Sequence, residues 1–314
     1  MLIYQASAGD AVTAMTLNEL RKFCPMLEHL HFFKEDGSGA VERLGDDING
    51  TITNRAVGSP FTTDDVAPDY GNFALKILGK TIRLDVAYEE RGGDVASEFE
   101  LKLRNWAQNA GRNLQYKLIN DTSATANQFN GLRKIIADLV TGGDSTRVIT
   151  AATNGHQVVL GNDNAAKTAQ QKFIEFIDML IDAIDGDAGC LMMDNQLLTR
   201  LSSVARDQCI ISLNEWGAKV GSYNGVPIVP TSRAYDGSRI LPFTETVGTA
   251  TDCTSVFAFK SSEKADLTCM TTRSGFKVYP IQKVGNFYEV MPQLQMDMAA
   301  LSKRCVAQLK GIRI

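Results

Sequence analysis

The segment Gly79-Lys80-Thr81 ends like a loop that binds nucleotide phosphates. Such a loop needs another glycine five residues before its second glycine, and Ala74 stands there. Lys80 also falls in a strand-like alternating pattern, whereas the motif places its lysine at the start of a helix. The sequence contains no Gly-x-Gly-x-x-Gly motif after a strand and no Gly-x-Ser-x-Gly elbow. We therefore expect no nucleotide site.

Two neighbouring histidines are candidate metal ligands. His29 and His31 follow Glu28, and two imidazoles with a carboxylate could bind a metal ion. We favour the alternative, in which these polar side chains lie on the solvent side of a segment that runs from Leu27 to Phe33.

Carboxylates cluster at Asp182, Asp185 and Asp187. An acid–base pair needs an apolar pocket that separates two pKa values, and a calcium loop needs more oxygen ligands than this spacing supplies. The pattern is typical of the solvated end of a helix. We therefore expect no catalytic residue, no cofactor and no metal site.

Composition excludes several classes of function. The 314 residues carry a net charge of −4 and a pI of about 5.5, which gives no footprint for tight nucleic-acid binding. No apolar run approaches the roughly 20 residues of a membrane span, and the N-terminus does not resemble a secretory signal. The six cysteines form no Cys-x-x-Cys pair, so we expect buried free thiols and assembly in a reducing cytoplasm. They are Cys24, Cys190, Cys209, Cys253, Cys269 and Cys305.

An extended segment precedes a long amphipathic helix. The segment from Phe73 to Tyr88 alternates in its second half, which predicts a strand. The sequence from Asp94 to Asn120 predicts a helix capped by Asp94, with one apolar stripe. That stripe contains Val95, Phe99, Leu103, Trp106, Ala110, Leu114 and Leu118. We expect Trp106 to be buried, and we expect the extended segment to need a partner chain because it encloses no core.

Helices and strands follow in blocks, which indicates an α+β fold. We predict a helix from Lys167 to Ile184, a short buried strand at Cys190–Met193 and a helix from Asn195 to Asp207. We also predict a strand at Ser255–Phe259 and a long strand or strand pair from Met296 to Ile314.

The order of these elements resembles the major capsid proteins of tailed bacteriophages with the HK97-type fold. The segment Phe129-Asn130-Gly131-Leu132 resembles the family's F-x-G-L segment after its spine helix. Gly225-Val226-Pro227-Ile228-Val229-Pro230 resembles its G-x-P-V-V-P strand, and Gln308–Ile312 resembles its closing strand. The resemblance runs from about residue 54 to the C-terminus.

The resemblance implies a domain division. It predicts an N-terminal arm at 1–55, an extended E-loop hairpin at 56–92, and a peripheral domain at 93–171 with a spine helix at 94–120. It further predicts an axial domain at 172–285, with axial loops at 206–220 and 236–254. C-terminal strands at 286–314 would return to the peripheral domain.

The resemblance also implies contacts between subunits, for which Lys76, Lys80, Arg83 and Asp85 are our candidates. We expect Arg83 or Asp85 to meet an opposite charge on a neighbour. Some members cross-link an E-loop lysine to an asparagine with the help of a glutamate. Lys76 or Lys80 and Asn286 could supply two parts, but Gln293 stands where the carboxylate is needed. We therefore do not expect cross-linking.

The implied function is that of a shell protein. The chain would assemble into pentamers and hexamers of an icosahedral phage head that encloses double-stranded DNA. Its partners would be its own copies, scaffolding protein, portal and a decoration protein, with weak non-specific DNA contact and no membrane. It would be found in the virion after assembly in the host cytoplasm. The alternatives are an encapsulin-type nanocompartment shell and a soluble α+β binding or enzyme domain.

Overall fold

The computed structural model describes residues 11–34, 39–42, 57, 70–205, 209–213 and 219–314. The helices are α1 (Ala11–Phe23), α2 (Ala87–Glu90), α3 (Val95–Asn120), α4 (Leu132–Thr141), α5 (Asn164–Asp182) and α6 (Asn195–Val204). The strands are β1 (Phe32–Lys34), β2 (Gly39–Glu42), β3 (Tyr70–Phe73), β4 (Lys76–Gly79), β5 (Ile82–Asp85), β6 (Val148–Thr150), β7 (His156–Gln157), β8 (Cys190–Asp194), β9 (Cys209–Leu213), β10 (Lys219–Tyr223), β11 (Val226–Thr231), β12 (Glu245–Val247), β13 (Ala250–Phe259), β14 (Leu267–Val284), β15 (Phe287–Ala300) and β16 (Val306–Arg313). The fold is α+β, as the sequence predicts.

A five-stranded sheet is built around the hairpin of β14 and β15. These two long strands pair antiparallel, and Gly285 adopts a φ of +60° in the turn between them, a conformation that glycine reaches without steric cost. β1 pairs parallel with β14. On the opposite side of the hairpin, β4 and β5 both pair antiparallel with β15.

This pairing corrects the expectation for the segment from Phe73 to Tyr88. The segment forms two short strands, β4 and β5, instead of one free strand, and both bind to β15 of the same chain. The alternating pattern predicted the faces correctly, since Ile82 and Leu84 are buried whereas Arg83 is exposed. The pattern could not name the partner strand, which lies about 200 residues further along the chain.

A second sheet of nine strands has the order β6-β16-β13-β8-β11-β10-β9, with β7 beside β16 and β12 beside β13. Successive side chains of β8 pack in two different hydrophobic cores, one on each face of the sheet. Met192 packs in the core that contains α3, whereas Leu191 packs with Phe173 and Ile177 of α5. Because both faces of the sheet are covered, β8 is apolar almost without interruption.

The long helix α3 matches its prediction closely. The side chain of Asp94 accepts hydrogen bonds from the backbone N–H groups of Ala96 and Ser97, at 3.0 and 3.4 Å, which satisfies two donors of the first turn. Gly111 allows α1 to approach, because a Cβ there would lie only 2.6 Å from the carbonyl oxygen of Leu20.

Trp106 is half-buried and not enclosed as expected. The fully buried face of α3 runs through Ala107 and Gly111, whose small size admits α1. Trp106 therefore lies at the margin of that face, where its ring stacks on Phe276 at a centroid distance of 6.3 Å.

Residues 11–34 fall within the predicted N-terminal arm, and they pack in the core of the subunit. Leu17, Leu20, Met26 and Phe32 are all buried in the core with α3. Apolar residues spaced by helical periods thus indicated core packing here. Residues 1–10, 35–38 and 43–55 of the predicted arm lie outside the described residues.

Other boundaries shift by a few residues. The helix predicted from Lys167 begins at Asn164, because Asp163 accepts a hydrogen bond from Ala166 N–H at 2.8 Å. The predicted strand pair from Met296 to Ile314 is confirmed, but β15 and β16 belong to different sheets. β14, placed by sequence in the axial domain, lies in the sheet that packs on α3.

Candidate assembly surface

The four candidate contact residues lie along one edge of the five-stranded sheet. β4 and β5 are the outermost strands on that side among the described residues, with Lys80 between them. An edge strand presents unpaired backbone groups to any further strand, and charged side chains limit such pairing. Lys76, Lys80 and Arg83 supply those charges.

Arg83 and Asp85 have partners within the chain. Arg83 Nε lies 2.6 Å from Glu289 Oε1 on the adjacent strand, although the Arg83 side chain remains 62% exposed. Asp85 Oδ1 accepts a hydrogen bond from the N–H of Ala87, the first residue of α2, at 2.8 Å. An exposed ion pair contributes only about 0.2–1 kcal/mol, so a contact by Arg83 with a neighbouring subunit stays a prediction.

The candidate cross-linking residues occupy separate places. The carbonyl of Asn286, at the turn between β14 and β15, accepts a hydrogen bond from Val86 N–H at 3.0 Å. Lys80 instead lies near the other half of β15, where its N–H donates to the carbonyl of Pro292 at 3.4 Å. Gln293 pairs with Gly79 in the register of β4 and β15.

A buried carboxylate joins the base of this edge to the core. Asp297 on β15 is fully buried and accepts hydrogen bonds from Ala74 N–H (3.3 Å) and from both the backbone N–H and the side-chain amide of Asn130 (3.1 Å each). Desolvation raises the pKa of Asp297, and the hydrogen bonds and Lys76 oppose that shift. Asp297 therefore ties three distant segments together.

The Phe129–Leu132 motif has a structural role in the same junction. Phe129 is buried, and its N–H donates to Asp121 Oδ2 at 3.2 Å. A Cβ at Gly131 would lie 2.5 Å from the carbonyl oxygen of Asp121, so only glycine fits. The segment thus returns the chain tightly from α3 into α4.

Two ion networks that the sequence did not reveal connect the nine-stranded sheet to the segment after β11 and to α3 and α4. Arg239 donates to both carboxylate oxygens of buried Asp194, at 2.7 and 2.8 Å. Arg133 pairs with Glu245 and also donates to Asn120 at 2.9 Å. Asp194 also caps α6, because its side chain accepts a hydrogen bond from Gln196 N–H at 2.8 Å.

The residues considered for chemistry have ordinary surroundings. Glu28 pairs with Arg21 at 3.4 Å, and burial lowers the pKa of His29. Asp187 lies 2.7 Å from Lys260, and Asp185 lies 3.4 Å from Arg304. The described part of the chain holds no group of three or more potential metal ligands among His, Cys, Asp and Glu.

Five of the six cysteines are confirmed as buried free thiols, and the side chain of Cys209 lies outside the described residues. Burial raises the pKa of Cys305 to about 12 and that of Cys24 and Cys190 further. Such thiols are unreactive at neutral pH. None of the helices within the described ranges is long and apolar enough to cross a membrane.

Solved structures of shell proteins share this fold. The holo-SrpI encapsulin complex from Synechococcus elongatus matches with a TM-score of 0.60 and 13% identity, covering 93% of this chain and 89% of that one. The capsid of a native GTA particle matches with a TM-score of 0.57 and 10% identity over 98% and 92% of the two chains. The Mycobacterium phage Bobi structure matches with a TM-score of 0.55 and 11% identity over 91% and 89%.

No protein-family profile and no curated protein matches the chain. The structural likeness nevertheless covers nearly the whole of each chain. The chain therefore has the fold of phage capsid and encapsulin shell proteins, which is the HK97-type fold.

Proposed function

We propose that this chain is the structural subunit of a self-assembling protein shell. The observation that carries the proposal is the match of more than 90% of its length to shell proteins of two kinds, encapsulin and phage capsid. The polar contacts of Asp297, Asp194 and Arg133 support a structural role, because they join strands, turns and helix ends to one another. The chain acts as a building unit and not as an enzyme.

The finer proposal is a phage head. The subunits form pentamers and hexamers of an icosahedral capsid that encloses double-stranded DNA, with scaffolding protein, portal and a decoration protein as partners. Such a capsid is assembled in the host cytoplasm and ends in the virion. An encapsulin-type shell is the second candidate, and its support is the TM-score of 0.60 with an encapsulin.

We propose that the hairpin of β2 and β3, and not the β4–β5 segment, contacts a neighbouring subunit. These strands pair antiparallel with each other as a separate two-stranded sheet. An isolated two-stranded hairpin is marginal in water, so contact with a neighbour would stabilise it. Residues 43–56 and 58–69 between these strands lie outside the described residues.

The domain division is revised accordingly. The proposed peripheral domain combines α1, α3 and α4 with the five-stranded sheet. The proposed axial domain combines α5 and α6 with the nine-stranded sheet, and it therefore includes β16. The predicted axial loop at 206–220 contains β9 and the first residues of β10, while residues 206–208 and 214–218 lie outside the described residues.

A deletion tests the location of the arm. Replacing residues 43–69 by a short Gly/Ser linker should leave a folded subunit that makes no stable shells, as measured by circular dichroism and electron microscopy. The contrasting replacement of residues 60–86 removes β4 and β5 and should unfold the subunit, because it exposes one side of β15. Normal shells from the 43–69 replacement would refute this assignment.

The contents of the particles separate the two candidates. Particles purified from the native source should contain nuclease-protected double-stranded DNA if the chain is a phage capsid protein. Particles that instead enclose a protein cargo and no DNA would establish the encapsulin-type alternative.

A further inference from the structure

A polar groove follows one side of α3 and consists of two cavities. Its first part is a cavity of about 620 Å³ between the β4–β5 connection and α3, lined by Lys80, Arg83 and Lys102. Its second part is a cavity of about 430 Å³ beside the start of α6, lined by Arg112, Arg233 and Arg239. Near neighbours in sequence line the two parts, since Asn113 and Tyr235 line the first part and Arg112 and Arg233 line the second.

The groove is cationic although the chain as a whole is acidic. Six Lys and Arg side chains line its two parts, against a single lining carboxylate, Asp194. Carboxylates pair with three of the cations: Glu289 with Arg83, Glu98 with Lys102 and Asp194 with Arg239.

The other three cations, Lys80, Arg112 and Arg233, have no ion pair among the residues that the structure describes. Arg112 lies over the ring of Phe23, and Arg233 donates to the carbonyl of Gly237. Neither partner carries a negative charge, so both guanidinium charges remain uncompensated.

Neutral polar groups and one aromatic ring fill the spaces between these charges. Asn105, Asn109 and Asn113 follow each other at four-residue steps, so their amides form one stripe on α3. From Lys102 to Asn113 the helix rises about 16 Å, roughly the rise of five nucleotides along one strand of B-DNA. Tyr235, with 62% of its surface exposed, lines the first part of the groove.

We propose that this groove binds the sugar–phosphate backbone of nucleic acid without sequence preference. Single cations at intervals suit a partner whose charges are evenly spaced, and Asn and Tyr side chains are common donors to phosphate and sugar. An exposed tyrosine ring also offers a stacking face for a base. The inference deepens the proposed function, and rests on it, by naming the part of the subunit that contacts the enclosed DNA.

An acidic protein segment is the competing occupant. Such a segment would favour arginines that each donate two hydrogen bonds to one carboxylate. The one such pair in the groove, Arg239 with Asp194, is already satisfied within the chain. The interleaved amides and the exposed ring favour nucleic acid.

Salt dependence of DNA binding provides the test. The full-length chain would be titrated into a fluorescent 30-base-pair duplex, with anisotropy measured between 50 and 200 mM salt. Three cations without an ion pair predict a slope of log K against log salt of about −2.7, which corresponds to roughly 40-fold weaker binding over that range. The triple variant Lys80→Gln, Arg112→Gln, Arg233→Gln should bring the slope close to zero.

A matched control removes three cations elsewhere. Lys167→Gln, Lys172→Gln and Arg200→Gln change the net charge equally on α5 and α6, and this variant should keep the wild-type slope. Tyr235→Ala should weaken binding of single-stranded DNA several-fold without changing the slope. Shell formation by each variant, followed by electron microscopy, confirms that the subunit is folded.

The outcomes separate the possibilities. A triple variant that binds DNA with the wild-type slope would overturn the proposal. A triple variant that fails to form shells but binds DNA normally would also overturn it, and would assign the groove to an acidic segment of another subunit. The wild-type chain could also bind DNA through the groove and yet never form shells. This result would support DNA binding by the groove and refute the proposed shell function.

Discussion

Replacing Asp297 should destabilise the subunit, because this one carboxylate on β15 satisfies three donors from two other segments. Asp297→Ala leaves the N–H groups of Ala74 and Asn130 and the Asn130 amide without their acceptor. Each lost partner costs about 1–3 kcal/mol, and the low end applies because Ala74 and Asn130 are only partly buried. Removing a carboxylate whose pKa is raised by burial offsets part of that cost. We expect a net loss of about 2–4 kcal/mol in the free energy of unfolding.

The pH dependence of stability gives a second readout at the same residue. Because burial raises the pKa of Asp297 above its unfolded value, the native state binds the proton more tightly than the unfolded state does. The resulting stabilisation is fully present below the unfolded pKa of about 4, and it is lost as pH rises through the raised native pKa. The D297N variant cannot titrate. The stability of wild type relative to D297N should therefore fall across that window.

Urea unfolding of the dispersed subunit, followed by tryptophan fluorescence, measures both effects. Asp138→Asn is the control, because Asp138 is an exposed carboxylate whose partner Lys134 lies on the same helix. This control should change stability by less than about 0.5 kcal/mol. If Asp297→Ala costs no more than the control does, Asp297 does not hold the three segments together and the reasoning fails.

Two further predictions concern α3. Gly111→Val should separate α1 from α3, because the Cβ of the new side chain would lie only 2.6 Å from the Leu20 carbonyl oxygen. We expect this variant to lose soluble protein, whereas the neighbouring control Ala110→Gly should cost only about 1 kcal/mol. Trp106→Ala should cost about 1–3 kcal/mol in urea unfolding, which is less than the 3–5 kcal/mol of a fully buried aromatic residue, because Trp106 is half-buried against Phe276. A cost above 4 kcal/mol would show that Trp106 is enclosed after all.

The sequence was most informative where a periodic pattern and a cap coincide. Asp94 and the apolar spacing after it located α3 to within a residue, and the alternation of Ile82 with Leu84 identified the buried face of β5. Such patterns record which face is covered but not which segment covers it. The alternation therefore predicts a strand with one buried face, but it cannot predict the pairing of β5 with β15.

Small residues were the signal most easily overlooked. The apolar stripe through Trp106 does not contain Ala107 or Gly111. These small residues nevertheless form the buried face of α3, because they let α1 approach closely. Burial of α1 against that face could have been inferred from Gly111 in mid-helix, because an isolated glycine costs helix stability unless packing requires it.

The polar junctions and the groove depend on tertiary structure alone. Asp297 and Asn130 are separated by 167 positions in sequence, and no local pattern connects them. The cations of the groove come from the β4–β5 connection, β5, α3 and the segment after β11. The net charge of the whole chain, −4, therefore gives no indication that they lie together.

The measurement that tests the central claim most directly is electron microscopy of the purified full-length chain, alone and together with the proteins of its native source. The account predicts closed icosahedral particles tens of nanometres wide, built from pentamers and hexamers of this chain. A protein that remains a monomer or a small open oligomer under all of these conditions would contradict it.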